Sequence, residues 1–321
     1  MPRRALISLI LRVTGNVNAD MSVGTRIPLK KIITWNHEVR PYISARCIKR
    51  CIRERLYEKN FSIDPLTLIE YTKSTKQLVD FGNPVDYVDD DLFGFLYPQI
   101  QQPRIRVGPV KVSHLISLRH AEVKVEFAAR FPRQFIPRDQ KDQRENPVPF
   151  EVELADWLGK LNVIVSDRVG RFTKDELDDE AKKKLGGKLE LKSEEREKRL
   201  RGLLEILLWE GWIFPRGSQS PSVPDFNYAV IALTDRFIPI FGFIDVDDEG
   251  KLNEELLEKM RKLYDGLLGQ LWVIRYKDGK YTHYYRKDKE SELNSEEKVL
   301  DSSTIDGIIK EICEYMVKDS R

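Results

Sequence analysis

The segment Ala5–Val13 constrains the fold more than any other. Leu6, Ile7, Leu9, Ile10, Leu11 and Val13 form a nearly continuous apolar run, preceded by Arg3-Arg4 and followed by Thr14-Gly15-Asn16. Such a run reads as a central strand buried on both faces, and it therefore needs a packed layer on each side. It is too short to cross a bilayer, which takes roughly 20 apolar residues. No small-residue cleavage site follows it, unlike a secretory leader. With 321 residues, 41% of them hydrophobic, the chain can bury a large core. Three cysteines, Cys47, Cys51 and Cys313, make no paired framework and suggest a reducing, cytoplasmic compartment.

Downstream, a polar connection leads to Pro41 and a helix with Ser44 as its N-cap, running to about Lys59. Asp64-Pro65 predicts a second helix through about Leu78. The Pro-rich stretch from Gly82 to Pro149 reads as an insertion of hairpins and extended loops. Phe150–Val165 is strand-like, Asp175–Leu185 and Ser193–Glu210 are helical, and Tyr228–Leu233 and Pro239–Val246 read as strands. A helix over Leu252–Leu268, a hairpin across Lys277-Asp278-Gly279 and a closing helix, Ser303–Val317, complete the chain. This order fits an α+β fold, a split β-α-β sheet of the ferredoxin or RNA-recognition type with large insertions. Irregular alternation and the lack of a Gly-x-Gly-x-x-Gly after the first strand argue against a dinucleotide fold.

Net charge is +2, but its distribution is uneven. Residues 1–60 carry 13 Lys and Arg against 4 Asp and Glu, 61–100 carry 2 against 7, and 101–145 carry 10 against 5. Within the first basic block, Arg46, Lys49, Arg50 and Arg53 share one face of the predicted helix, while Ala45, Ile48, Cys51, Ile52 and Leu56 share the other. Solvated helix faces usually mix signs. A one-signed stripe suits successive phosphates, and the helix N-terminus near Ser44 would add free amides and the positive end of the helix dipole. Arg26, Lys30, Lys31 and Arg40 lie just upstream.

Two further segments are candidates. Arg216, Ser218, Gln219 and Ser220 sit in a Gly- and Ser-containing loop able to approach phosphates or 2′-hydroxyls, although alone it is an ordinary loop. Arg104 and Arg106, in the strand-like stretch ending at His114, either reach phosphate or belong to a hairpin that contacts protein. Asp86, Asp89, Asp90 and Asp91 could hold a divalent cation, but acidic turns usually just solvate. No nucleophile, zinc-hydrolase or phosphate-loop spacing is present. No metal or cofactor is therefore expected, and no enzyme.

The first strand with Asn16-Val17-Asn18, the helix start Ile43-Ser44 to Arg53, the string Asp91-Leu92-Phe93-Gly94-Phe95-Leu96, the Val107–Leu118 stretch and Asp167-Arg168-Val169-Gly170-Arg171-Phe172 resemble the DevR-type CRISPR-associated autoregulator family. That family is the backbone, crRNA-binding subunit of type I Cascade complexes. The resemblance implies one domain over 1–321, a modified RNA-recognition palm with inserted fingers and a thumb hairpin. The thumb would lie within 82–149, with a helical insertion at 167–193. It implies copies stacked head to tail along a guide RNA, beside other Cascade subunits, with target DNA recognised through the guide and no membrane. Carried over, Ser44, Arg46, Lys49, Arg50 and Arg53 would hold the guide backbone, helped by Asn18 and the loop Ser218–Ser220. No aromatic RNA-recognition motif is visible, a departure that suits sequence-independent backbone binding. The alternative is a metal-dependent ribonuclease using Asp86–Asp91, because related backbone subunits of other CRISPR types cleave RNA.

Overall fold

The structure, a computed structural model, describes residues 2–17, 23–72, 75–98, 103–130, 148–215, 222–286 and 297–318. Strand β1 (Arg4–Gly15) is followed by the short β2 (Arg26–Ile27), β3 (Lys31–Ile33) and β4 (Val39–Ile43), and then by helix α1 (Ala45–Glu58). Two small hairpins, β5 (Thr67–Thr72) with β6 (Thr75–Val79) and β7 (Gly94–Tyr97) with β8 (Arg104–Val107), flank helix α2 (Val88–Phe93). Next come β9 (Val110–Val112), β10 (Leu115–Ser117), β11 (Lys124–Arg130) and the long β12 (Val148–Ser166). Helices α3 (Asp179–Lys184) and α4 (Ser193–Glu205) precede β13 (Asp225–Thr234) and α5 (Glu254–Leu263). The chain finishes with β14 (Leu268–Arg275), β15 (Lys280–Arg286), β16 (Glu297–Val299) and α6 (Ser302–Val317).

Among the described residues the main sheet runs β16-β15-β14-β13-β1-β12-β10-β4-β3, with β2, β9 and β11 pairing β12 beside that path. β1 lies at its centre, antiparallel to β12 from Arg4↔Ser166 to Gly15↔Ala155 and to β13 from Arg4↔Thr234 to Arg12↔Asp225. The strand is buried on both faces. Ile7, Leu9 and Leu11 pack with residues of α1, α4 and α6, such as Ile52, Leu203 and Ile308. Leu6 and Ile10 enter a second cluster with Ile240, Ile244 and the α5 residues Leu257 and Met260. Each fully buried aliphatic side chain is worth about 1.5–3 kcal/mol, so two clusters meeting on one strand explain its unbroken apolarity.

Three sequence expectations are corrected. No helix runs from Asp64 to Leu78; β5 and β6 pair there, with Leu68 opposite Leu78. Thr67, Ile69 and Val79 favour extended chain. The Asp64 carboxylate accepts hydrogen bonds from the amides of Leu66, Phe81 and Gly82, which closes the base of the hairpin instead of starting a helix. Pro239–Val246 is not a strand either, because Ile240–Phe243 forms a 3-10 turn that drops Ile240 and Ile244 into the core. Nor is 82–149 a single insertion. β9 and β10 belong to the main sheet, whereas β11 and β12 make a long hairpin from Lys124↔Leu154 to Arg130↔Val148. Residues 167–193 hold a 3-10 turn (Lys174–Glu176) and α3 around a small cluster of Phe172, Leu177 and Ala181. Among the described residues no helix is long and apolar enough to cross a membrane.

Backbone meets backbone where α2 ends. Gly94 has φ 78°, and a Cβ there would lie 2.2 Å from the Arg106 carbonyl oxygen. A Cβ on Gly108 would lie 2.2 Å from the Phe93 carbonyl carbon. Neither neighbour is a flexible side-chain end that could step aside. Gly94→Ala is expected to cost roughly 2–4 kcal/mol, seen as a lowered urea midpoint at unchanged slope.

Candidate nucleic-acid interface

α1 forms because Ile48, Cys51, Ile52 and Leu56 bury one face against the sheet. Ser44 is its N-cap, with extended backbone (φ −67°, ψ 146°) and a side-chain oxygen that accepts from the Cys47 amide at 3.3 Å. His114, at the end of the short stretch after β9, supplies a second cap: its Nδ1 accepts from the Ala45 amide at 2.8 Å. The first turn therefore offers a ligand fewer free amides than the sequence suggests. Accepting through Nδ1 leaves the proton of neutral His114 on Nε2, and this exposed ring can donate outward.

Along the outer face, Arg46 and Arg50 are exposed, and Lys49 and Arg53 are half-buried. Phe93, from the Asp-Leu-Phe-Gly string, lies beneath the last two. Lys49 Nζ is 5.5 Å from the ring centroid and the Arg53 guanidinium 5.2 Å. Arg53 Nε donates to Asp89 Oδ2 at 2.8 Å, which fixes it. Arg50 pairs with Glu54 at 2.9 Å, an exposed i,i+4 contact that a phosphate can displace. Among the described residues no carboxylate pairs with Arg46 or Lys49. Burial holds the Lys49 ammonium below its ordinary pKa, and the neighbouring Arg53 and Lys111 push it further down. Among the described residues this positive charge has no compensating acid. An external anion seated there would relieve it.

The other predicted residues sit elsewhere. Arg26 bonds the buried Glu153 at 3.1 Å, and Arg40 Nε donates to Glu38 at 2.8 Å, so both are engaged. Asn18, Arg216, Ser218, Gln219 and Ser220 lie outside the described residues. Arg104 and Arg106 point inward, being 8% and 2% exposed, while Ile105 and Val107, which alternate with them, face out. Arg104 donates to the Gly82 carbonyl at 2.6 Å. Arg106 bonds Asp91 and Glu176, both at 2.6 Å. Neither guanidinium can reach a phosphate. Of the two expectations for this stretch, the inward arginines fit contact with the protein itself, while Lys111 and His114 border α1.

The acidic segment is likewise taken up by the protein's own donors. Asp91 accepts from Arg106, Arg199 and the Gly170 amide. Asp89 accepts from Arg53 and the Asp64 amide. Asp86 accepts from Asn83 Nδ2 and Lys184. The carboxylates that converge are those of Asp64, Asp80 and Asp90, with oxygens within 4.8 Å of one another. Burial pushes the Asp90 carboxyl up to about 9, reinforced by Asp64 and Asp89. Because this native value exceeds the ordinary one near 4, Asp90 adds stability that is complete below about pH 4 and lost as pH rises through about 9. Urea unfolding is expected to show the wild type weakening between pH 7 and pH 10, and Asp90→Asn, which mimics the protonated acid, flattening that slope.

The model of the family "CRISPR-associated negative auto-regulator DevR/Csa2" matches residues 17–254. The Myxococcus xanthus (strain DK1622) "CRISPR-associated protein Cas7/Cst2/DevR" is 28% identical over 153 residues, 44% of this chain and 50% of that protein. The chain thus spans about half the length of the curated relative it matches. A chain from a solved "CRISPR RNA-guided surveillance complex" aligns with TM-score 0.52 and 16% identity over 96% of this chain and 99% of its own. A chain from a second such complex, described as "pre-nicking", aligns with the same TM-score at 13% identity and the same coverage. At such identities the structural likeness concerns the fold. The family match, however, takes in α1, the Asp-Leu-Phe-Gly string that seats its cations and the Arg168–Gly170 turn behind them, and on it this chain belongs to the DevR/Csa2 family of CRISPR-associated proteins.

Proposed function

We propose that this protein is a non-catalytic backbone subunit of a CRISPR RNA-guided surveillance complex, holding a single-stranded guide RNA by its phosphates. The observation that carries this reading is the charge at Arg46 and Lys49, which no carboxylate among the described residues pairs with, beside Arg50, Lys111 and the donor edge of His114. In support, the central strands run β13-β1-β12-β10, all antiparallel, with α1 and α4 in the two crossovers. That is the strand order of a split β-α-β palm of the RNA-recognition type. The β11–β12 hairpin suits the role of thumb, and the β5–β8 hairpins that of fingers. Contacts confined to phosphates leave the bases free to pair with target DNA, which a changeable guide requires. Neighbouring copies stacked head to tail, and other subunits of the complex in the cytoplasm, would complete the assembly.

The alternative, a metal-dependent ribonuclease at Asp86–Asp91, is disfavoured because Asp86, Asp89 and Asp91 each accept from a protein cation. Purification from cells expressing a CRISPR array tests the proposal. Nuclease-sensitive RNA of uniform length should accompany the protein and survive incubation with Mg²⁺ or Mn²⁺. Absence of RNA, or metal-dependent cleavage abolished by Asp→Ala changes, would overturn it.

A further inference from the structure

Two thiols sit one turn apart on the same helix as the cationic stripe. Cys47 is half-buried in the first turn of α1, its amide bonded to the Ser44 cap. Cys51 is buried one turn below it on the same helix. The Cys51 hydrogen bond, then Arg50 and Lys30, hold the Cys47 thiol below its usual pKa against burial and Glu54. The same contact, burial and Glu54 push Cys51 up despite Arg50. Cys47, the half-buried one, is thus the more acidic of the two thiols. A thiolate at a helix N-terminus, beside cations and at the edge of solvent, is a reactive one.

We propose that Cys47 and Cys51 form a redox-responsive pair, in which a peroxide oxidises Cys47 and Cys51 resolves the product as a disulfide within α1. The Cys47 thiolate attacks a peroxide oxygen, the O–O bond breaks, and the leaving hydroxide takes up the thiol's proton as water, giving the Cys47 sulfenic acid. The Cys51 sulfur then attacks the Cys47 sulfur; its proton passes to the departing hydroxyl, which leaves as a second water. The two thiols lose two electrons in all, and the peroxide gains them.

Closing this bond deforms the helix. Residues one turn apart stand about 6 Å apart at Cα, inside the range disulfides bridge, but their Cβ atoms, about 5–6 Å apart, must approach to about 3.8 Å. The contraction falls between Arg46 and Arg50, so oxidation disturbs the stripe. Such strain also makes the bond easily reduced.

Hydrogen peroxide treatment of the whole chain, then alkylation under denaturing conditions and intact-mass measurement, tests the pair. Wild type should lose the alkylation of Cys47 and Cys51 together, keep that of Cys313, and recover with a thiol reductant. Cys51→Ser should stop at a dimedone-reactive Cys47, and Cys47→Ser should keep both remaining thiols. Full alkylation of treated wild type, an oxidised Cys47 beside a free Cys51, or a disulfide between two molecules would each overturn the proposal. A second readout rests on the RNA-holding reading: the oxidised protein should bind single-stranded RNA about tenfold more weakly. If the disulfide forms and affinity is unchanged, the thiol chemistry stands and the α1 interface fails.

Discussion

Asp91→Ala is expected to destabilise the protein by roughly 3–5 kcal/mol, the range for breaking one partner out of a buried ion network. Asp91 is wholly buried and joins three separate parts of the fold. It accepts from Arg106 on β8 at 2.6 Å, from Arg199 on α4 at 2.9 Å and from the Gly170 amide at 2.9 Å. Removing it takes a wholly buried acid from two guanidiniums that are themselves 2% and 3% exposed, leaving Arg199 with the surface carboxylate of Glu195 at 3.1 Å. Water cannot reach them, and the remaining acid on Arg106, Glu176, is shared with Arg168. The change should appear in equilibrium urea unfolding as a large fall in midpoint. A loss below about 1 kcal/mol would mean that the network relaxes around the gap. Asp91→Asn should fall between, because an amide keeps one acceptor oxygen but no charge.

The second large effect is on binding. Arg46→Glu with Lys49→Glu is expected to weaken single-stranded RNA binding roughly 100- to 1,000-fold at moderate salt, from two lost phosphate contacts and new like-charge repulsion. Stability should change little, since neither residue pairs with a carboxylate among the described residues and Arg46 is exposed. Fluorescence anisotropy with a labelled RNA measures the first quantity and urea unfolding the second. Charge reversal at Arg53 would be a poorer probe, because Arg53 anchors Asp89 at 2.8 Å and its loss would disturb the fold itself.

Elements governed by local chemistry were legible in the sequence. β1 announced itself through an apolar run that only a two-faced burial explains, and α1 through Ser44 and its apolar spacing. The Lys277-Asp278-Gly279 hairpin followed from its turn residues, and β14 and β15 flank it. What escaped was set by distant partners. Asp64 looked like a helix cap, yet its carboxylate closes a hairpin through amides 17 and 18 residues away. β8 alternates Arg with Ile or Val, and periodicity alone cannot say which set faces in; Asp91, Glu176 and Asp178 draw the arginines inward. The cations of α1 were legible as a stripe, but their inequality was not. Asp89 and Phe93, about 40 residues away, decide that Arg53 is fixed by an acid while Lys49 rests over an aromatic ring. Trp35, 94% exposed at the β3–β4 turn, carried no sequence signal at all.

The central claim, that the outer face of α1 grips a ribose-phosphate strand without reading its bases, is tested most directly by salt titration. Binding constants for two unrelated single-stranded RNAs of equal length would be measured against salt for wild type and for Arg46→Ala/Lys49→Ala. The two RNAs should bind wild type with similar affinity and fall steeply with salt, and the double variant should lower the slope of log K against log salt by about 1.4, near 0.7 per lost contact. An unchanged slope in the variant, or a strong preference for one of the two sequences, would contradict it.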